Sequence, residues 1–202
     1  EWSPLGDWIA ISVSPGGGSN RQLYLVRPDG TELRRLTEGD EHRNSLGSWE
    51  AGGRLLTYAS NRRNPEALDS FVFDLEAGES RLVAENRGVA RMMDMTADGR
   101  RAVLFRLKHR GNNDRYLRDL ESGEEELLTP HTGPGRFGGG RLAPDGSGVY
   151  LSTDKDRDLR ALGRVRLDAE GRPGPIEVLA ERDDAELQSM LLTEDGATAA
   201  LI

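Results

Sequence analysis

The chain has 202 residues, 36% of them hydrophobic and 31% charged, with a net charge of −8. This is enough for one substantial domain, and the acidic balance speaks against a nucleic-acid partner, because phosphate recognition calls for a basic face. The absence of Cys excludes disulfides and thiolate metal sites, and no stretch approaches the run of about 20 apolar residues that a membrane span needs.

The chain opens on EWSPLGDWIAISV: an apolar step at Trp2, a tight turn at Gly6, then a strand over 8–13. A third strand, QLYLVR (22–27), a turn at Gly30 and a fourth strand, ELRRLT (32–37), follow. The same grammar restarts at Trp49, with a turn at Gly53, LLTYAS (55–60), SFVFDL (70–75), Gly78 and SRLVA (80–84). Between those second and third strands, NRRNPEALDS has room for one helical turn at most. The third copy runs from Met95 through Ala97-Asp98-Gly99, AVLFRL (102–107), RYLRDL (115–120), Gly123 and EEELLT (124–129). The fourth runs from Leu142 through Pro144-Asp145-Gly146, GVYLST (148–153), GRVRLD (163–168), Gly171 and PIEVLA (175–180). The last has Leu192, Glu194-Asp195-Gly196 and ATAALI (197–202).

Gly6, Gly53, Gly99, Gly146 and Gly196 are 47, 46, 47 and 50 residues apart. Asp98, Asp145 and Asp195 suit such turns because Asp bonds its own backbone, and Gly accepts the positive φ that other residues resist. Four short antiparallel strands per period of 47 residues predict an all-β fold, a β-propeller of four-stranded blades. A β-sandwich also has many turns, but it does not require one motif at a fixed long period. Residues 1–202 then hold about four blades and part of a fifth. Closing them as a four-bladed ring would give the opening blade a duplicate second strand. An open arc of a larger ring, of about six to eight blades, is the simpler reading, with open blade edges through which copies could self-associate.

Several phrases resemble the N-terminal propeller of the S9, or prolyl oligopeptidase, family of serine peptidases, and most of all its bacterial acylaminoacyl-peptidase-like branch. They are SNRQLYLVRPDGTELRRLT (19–37), SWEAGGRLLTYASNRRNPEALDSFVFDLEAGESRLV (48–83), GNNDRYLRDLESGEEELLTPH (111–131) and RLAPDGSGVYLSTD (141–154). The turn phrase itself is shared with TolB-like propellers. Pro-Asp-Gly is intact only at 144–146, and Trp ends a first strand only at positions 2 and 49. The resemblance implies a non-catalytic cap over a C-terminal α/β-hydrolase domain, one that restricts access to small peptides. The alternative is a TolB-like protein-binding propeller with no hydrolase domain.

No motif in the chain supplies chemistry of its own. A hydrolase nucleophile needs Gly-x-Ser-x-Gly on a strand–turn–helix elbow. GGGSN (16–20) has Arg21 where the final Gly must fall, and LGSWE and DGSGVY fail as well. His42, His109 and His131 read as solvent-facing loop residues rather than general bases. DKDRD (154–158) opens like a calcium loop, but Leu159 and Val165 stand where Gly and a bidentate Glu are needed. Gly16–Gly18 and Gly138–Gly140 read as loop glycines, since neither leads into a helix start. No catalytic residue, cofactor or metal is expected.

The remaining candidates lie on long connections, expected between second and third strands and between blades. These carry Arg43, Arg62, Arg63, Arg110, Asn112, Asn113, His131 and Arg136. Variable loops on a rigid scaffold are where function gathers, and Arg grips a carboxylate with two parallel bonds. Arg62, Arg63, Arg110 and Arg136 are therefore the expected domain-docking or substrate-path residues, and the short Gly-turn side is expected to matter little. Only Lys108 and Lys155 are lysines, which reads as the codon bias of a GC-rich genome, and the resemblance implies a bacterial one. The chain lacks an initial Met and opens partway through a motif, so a piece of a longer protein is expected. Residues 1–30 lack the basic-then-apolar order of a signal peptide, so the expected location is cytoplasmic.

Overall fold

Short runs of Val, Leu, Phe, Tyr and Thr bounded by Gly turns favour the pleated, half-buried environment of a sheet. The computed structural model describes residues 1–193 and 195–202; Glu194, in the last expected turn, lies outside the described residues. Those residues form antiparallel strands with one 3₁₀ turn, Pro15–Gly17, and no α-helix. They fall into two compact units, Glu1–Met92 and Met93–Ile202.

The first unit contains two sheets. One is three-stranded, in the order β1 (Ile9–Val13), β2 (Gln22–Val26), β3 (Arg34–Arg35), preceded by a single bridge between Trp2 and Ile9. The other is four-stranded in chain order: β4 (Asn44–Trp49), β5 (Leu55–Ser60), β6 (Asp69–Asp74), β7 (Glu79–Ala84). Leu23, Leu25, Trp49, Leu56, Tyr58, Phe71 and Phe73 form its core. Burying one such Leu fully stabilises by about 2 kcal/mol.

The second unit continues the pattern. β8 (Ala90–Met95, its last three residues in this unit), β9 (Arg101–His109), β10 (Asn112–Asp119) and β11 (Glu125–Leu127) form one sheet. β12 (Phe137–Leu142), β13 (Gly148–Thr153), β14 (Ala161–Leu167) and β15 (Pro173–Ala180) form the next. β16 (Met190–Leu192) and β17 (Ala199–Leu201) make a hairpin. Val103, Leu117, Leu128, Phe137, Val149, Leu151 and Val165 lie in its core. Second-strand residues Leu56, Tyr58 and Leu104 are buried and Tyr150 is half-buried. Meander sheets repeated in this way are the blades of a β-propeller.

Each of Gly6, Gly53, Gly99, Gly146 and Gly196 donates its N–H to the carbonyl three residues earlier, at 2.8 to 3.0 Å. Their φ values lie between +67° and +74°, the left-handed region that favours Gly. Asp98, Asp145 and Asp195 each accept the N–H of the residue two further on, at 2.9 Å.

Two readings from the sequence need correction. Gly138–Gly140 are not loop residues but lie inside β12, where the register shifts between Gly139 and Arg141. The backbone bulges there because Gly139 and Gly140 take φ of +66° and +129°. The connection between β9 and β10 is not long: it is the two-residue turn Arg110-Gly111, so Asn112 and Asn113 begin a strand. Gly111, at φ +81°, closes this hairpin.

Candidate functional site

The strand ends opposite the Gly turns carry the charged residues singled out above, and most of them have partners. In the first unit, the β5–β6 connection is pinned by Arg63. Its Nε and Nη2 donate to Asp69 at 2.6 and 3.0 Å, and Asp69 is fully buried. Asp69 also accepts the Asn86 N–H at 2.7 Å, which holds the linker after β7. Arg62 points elsewhere. Its guanidinium lies 4.0 Å from the centroid of the Phe71 ring, and Phe71 stacks on Tyr58. A guanidinium stacked in this way is oriented by the ring and keeps its in-plane donors for another partner. Arg43 closes the same end, its N–H donating to Asn61 Oδ1 at 2.7 Å.

In the second unit, Arg136 donates through its backbone N–H and its Nε to Asp154, at 2.7 and 2.6 Å. Asp154 is the first residue of DKDRD, so this acidic loop anchors an Arg, and no group of three or more His, Asp or Glu among the described residues could hold a metal. Arg110 is exposed in the β9–β10 turn. Asn112 is buried and bonds to Gly133 O, and its Oδ1 lies 2.9 Å from His131 Nε2. His131 is not solvent-facing: its side chain is 4% exposed and tilted against Phe137. His42 sits 3.1 Å from Glu41, and His109 is exposed. Among the described residues no serine hydroxyl is hydrogen-bonded to a histidine ring.

Sequence reasoning missed a repeated latch. Gln22 and Asp69 open their third strands opposite Val13 and Ser60, the last residues of β1 and β5, and Asp114 lies two residues into β10, opposite Arg106. All three are buried. Gln22 donates to Gly39 O and His42 O, and Asp69 takes Asn86. Asp114 takes Lys108 Nζ at 2.9 Å. Each residue ties the head of a third strand to nearby polar groups. The fourth sheet has Ala161 opposite Thr153 at this position. The legible signal was a polar residue at the head of an apolar strand, as in ALDSFVF.

The Gly-turn side of the second unit holds a cavity of about 400 Å³ lined by Asp98, Arg100, Arg101, Asp119, Leu142 and Leu167, among others. No helix among the described residues is long and apolar enough to cross a membrane.

No protein-family model matches the chain, and no curated protein does. Solved structures do. TolB from Acinetobacter baumannii matches 98% of the chain with a TM-score of 0.75 at 17% identity. A prolyl endopeptidase, from a structural study of two such enzymes, matches all of it with a TM-score of 0.75 at 16% identity. Prolyl oligopeptidase B from Galerina marginata, bound to a 35mer substrate, matches 95% with a TM-score of 0.67 at 16% identity. The chain spans 47%, 31% and 29% of these structures, respectively. The likeness is one of fold, shared by TolB and by the propeller-bearing prolyl peptidases.

Proposed function

We propose that this chain is the non-catalytic propeller portion of an S9-type serine peptidase of the acylaminoacyl or oligopeptidase kind. It caps a C-terminal α/β-hydrolase domain and limits access to small peptides. The observation that carries this reading is the agreement between loop phrases and fold. NRRNPEALDSFVFDL and GNNDRYLRDLESGEEELLTPH resemble the S9 propeller, and the whole chain superposes on a prolyl endopeptidase. Rigid blades with internally bonded linkers suit a size filter, because a filter has to keep its shape while substrates press on it. The chain itself contains no Gly-x-Ser-x-Gly, so its contribution is steric and electrostatic. Arg62 is the contact residue this reading favours: it is held on Phe71, whereas Arg63 and Arg136 are committed to Asp69 and Asp154.

A second reading, a TolB-like propeller that docks protein partners, is favoured by the equal fit to TolB. One experiment separates them. The full-length protein carrying this chain is purified and treated with a serine-reactive fluorophosphonate. Stoichiometric labelling outside residues 1–202, with Arg62→Ala altering kcat or KM on peptide reporters and Glu76→Ala leaving both unchanged, supports the peptidase cap. An unlabelled protein that co-purifies with a protein partner supports the TolB-like reading.

A further inference from the structure

The cavity on the Gly-turn side of the second unit holds a guanidinium unlike its neighbours. The half-buried Arg106, Arg118, Arg157 and Arg160 each meet a glutamate, and the buried Arg115 meets the carbonyls of Gly139 and Phe137. Arg101 is half-buried too and lines the cavity, yet among the described residues its guanidinium has no hydrogen bond or ion pair. It is held by contact instead. A Cβ on Gly171 would lie 2.5 Å from its Nη1 and 2.7 Å from both Cζ and Nη2. An approach along the edge of the group would put Cζ well behind the two nitrogens, so Gly171 meets its face. Gly171 has φ of +83°, so the β14–β15 turn requires a glycine, and that glycine leaves room for the guanidinium. The N–H donors lie in the plane of the group and stay open.

The charges around the cavity narrow the class of ligand. Arg100 and Arg101 share its lining with three carboxylates, Asp98, Asp119 and Glu121. The Thr96 hydroxyl and the Arg100 N–H hold the Asp98 carboxyl below its usual 3.8. The Ser122 and Glu121 N–H groups do the same for Asp119, with the charge of Arg101 acting in the same sense. These bonds fall on Oδ1 of each Asp, and the second oxygen has room to accept from a cation. A plain anion would meet the carboxylates, and a plain cation would meet the guanidiniums. A ligand that carries both charges suits both sets. Leu142, 8% exposed, and the half-buried Leu167 supply an apolar wall. The volume of about 400 Å³ is that of a small-molecule site.

We propose that this cavity binds a short apolar peptide of dipeptide size in its zwitterionic form. The ligand carboxylate pairs with Arg101, whose guanidinium offers two parallel N–H bonds, and Arg100 adds positive charge at the rim. The ligand ammonium donates to the open oxygens of Asp98 and Asp119, and its apolar side chains cover Leu142 and Leu167. The site is built from the β8–β9, β10–β11 and β12–β13 turns and the end of β14. A bound peptide therefore ties together the two four-stranded sheets of the second unit and stabilises them by mass action. This inference does not depend on the peptidase reading.

The probe is leucyl-leucine, offered to the full-length protein carrying this chain after fluorophosphonate treatment, so that any serine-peptidase site is blocked. Calorimetric titration should show binding, with N-acetyl-leucyl-leucine and leucyl-leucinamide each weaker by about tenfold or more. Arg101→Gln should remove the preference for the free carboxylate. Asp98→Asn keeps the acceptor oxygen of the turn and should remove the preference for the free ammonium. Hydrogen exchange should slow on binding at amides 96–101 and 119–123. No binding of leucyl-leucine at about 10 mM overturns the proposal. So does binding as tight for the two blocked peptides, binding unmoved by both variants, or protection confined to other segments.

Discussion

Asp69 shows how a charge is kept inside a β-core. It is fully buried and satisfied by Arg63 and the Asn86 N–H, so its desolvation is offset by bonds to both oxygens. Asp69→Ala leaves the Asn86 N–H and the Arg63 side chain without their acceptor. We expect a loss of about 3 kcal/mol in urea unfolding. Arg62→Ala, one residue before Arg63 in the chain, should lose far less, because Arg62 only stacks on Phe71. Equal losses would refute this division of roles. Asp74 makes a pH-dependent contribution. Hydrogen bonds from Arg54 hold its carboxyl at about 2, below the usual 3.8. A lowered carboxylate stabilises the fold above its unfolded value, and that contribution is lost as pH falls through about 2. The melting-temperature gap between wild type and Asp74→Asn should therefore be wide at about pH 6 and narrow towards about pH 2. A gap independent of pH would show that Arg54 does not act through the charge. The general character of these residues was legible, since Arg near the head of an apolar strand invites a partner. Which carboxylate each Arg meets was not, because Arg136 and Asp154 are brought together only by the pairing of β12 with β13.

At the level of strands, β4 and β5 depend on one glycine. The register shifts between Leu46 and Trp49, and Thr57 Oγ1 fills the gap by accepting from Ser48 N at 2.8 Å and donating to Ser48 O at 3.0 Å. A Cβ on Gly47 would meet Thr57 Oγ1 and lie 2.6 Å from Thr57 O. Gly47→Ala should thus destabilise by about 1–3 kcal/mol through overpacking, measured by urea unfolding, and Thr57→Ser should not relieve the loss, since backbone is part of the clash. Full stability in Gly47→Ala would mean that the two strands are free to separate there. Second strands such as LLTYAS were legible because their residues suit a pleated, buried position. The strand at Gly138–Gly140 was hidden, because three glycines have no β-propensity of their own. Arg115 holds it instead, through Gly139 O at 2.7 Å and Phe137 O. The β9–β10 hairpin was hidden in the same way, as GNND reads like a loop until His109 pairs with Asn112.

For the whole molecule, the expected behaviour is that of a scaffold. Residues 1–202 purified alone should hydrolyse no acyl-amino-acid or peptide reporter and take up no serine-reactive phosphonate, since an oxyanion site and an activated nucleophile are both required. Mass spectrometry showing stoichiometric labelling of any serine would overturn this. The sequence by itself determined the blade. The turn glycines recur at intervals of 46 to 50 residues, and tight turns depend on local backbone preferences that adjacent residues set unaided. Tertiary structure decided which charges became structural and which stayed available. Asp69, Asp114 and Asp154 take their partners from residues 6 to 18 positions away. Such pairs exist only after strands register and water is excluded around them, and burial is what gives an ion pair its structural weight.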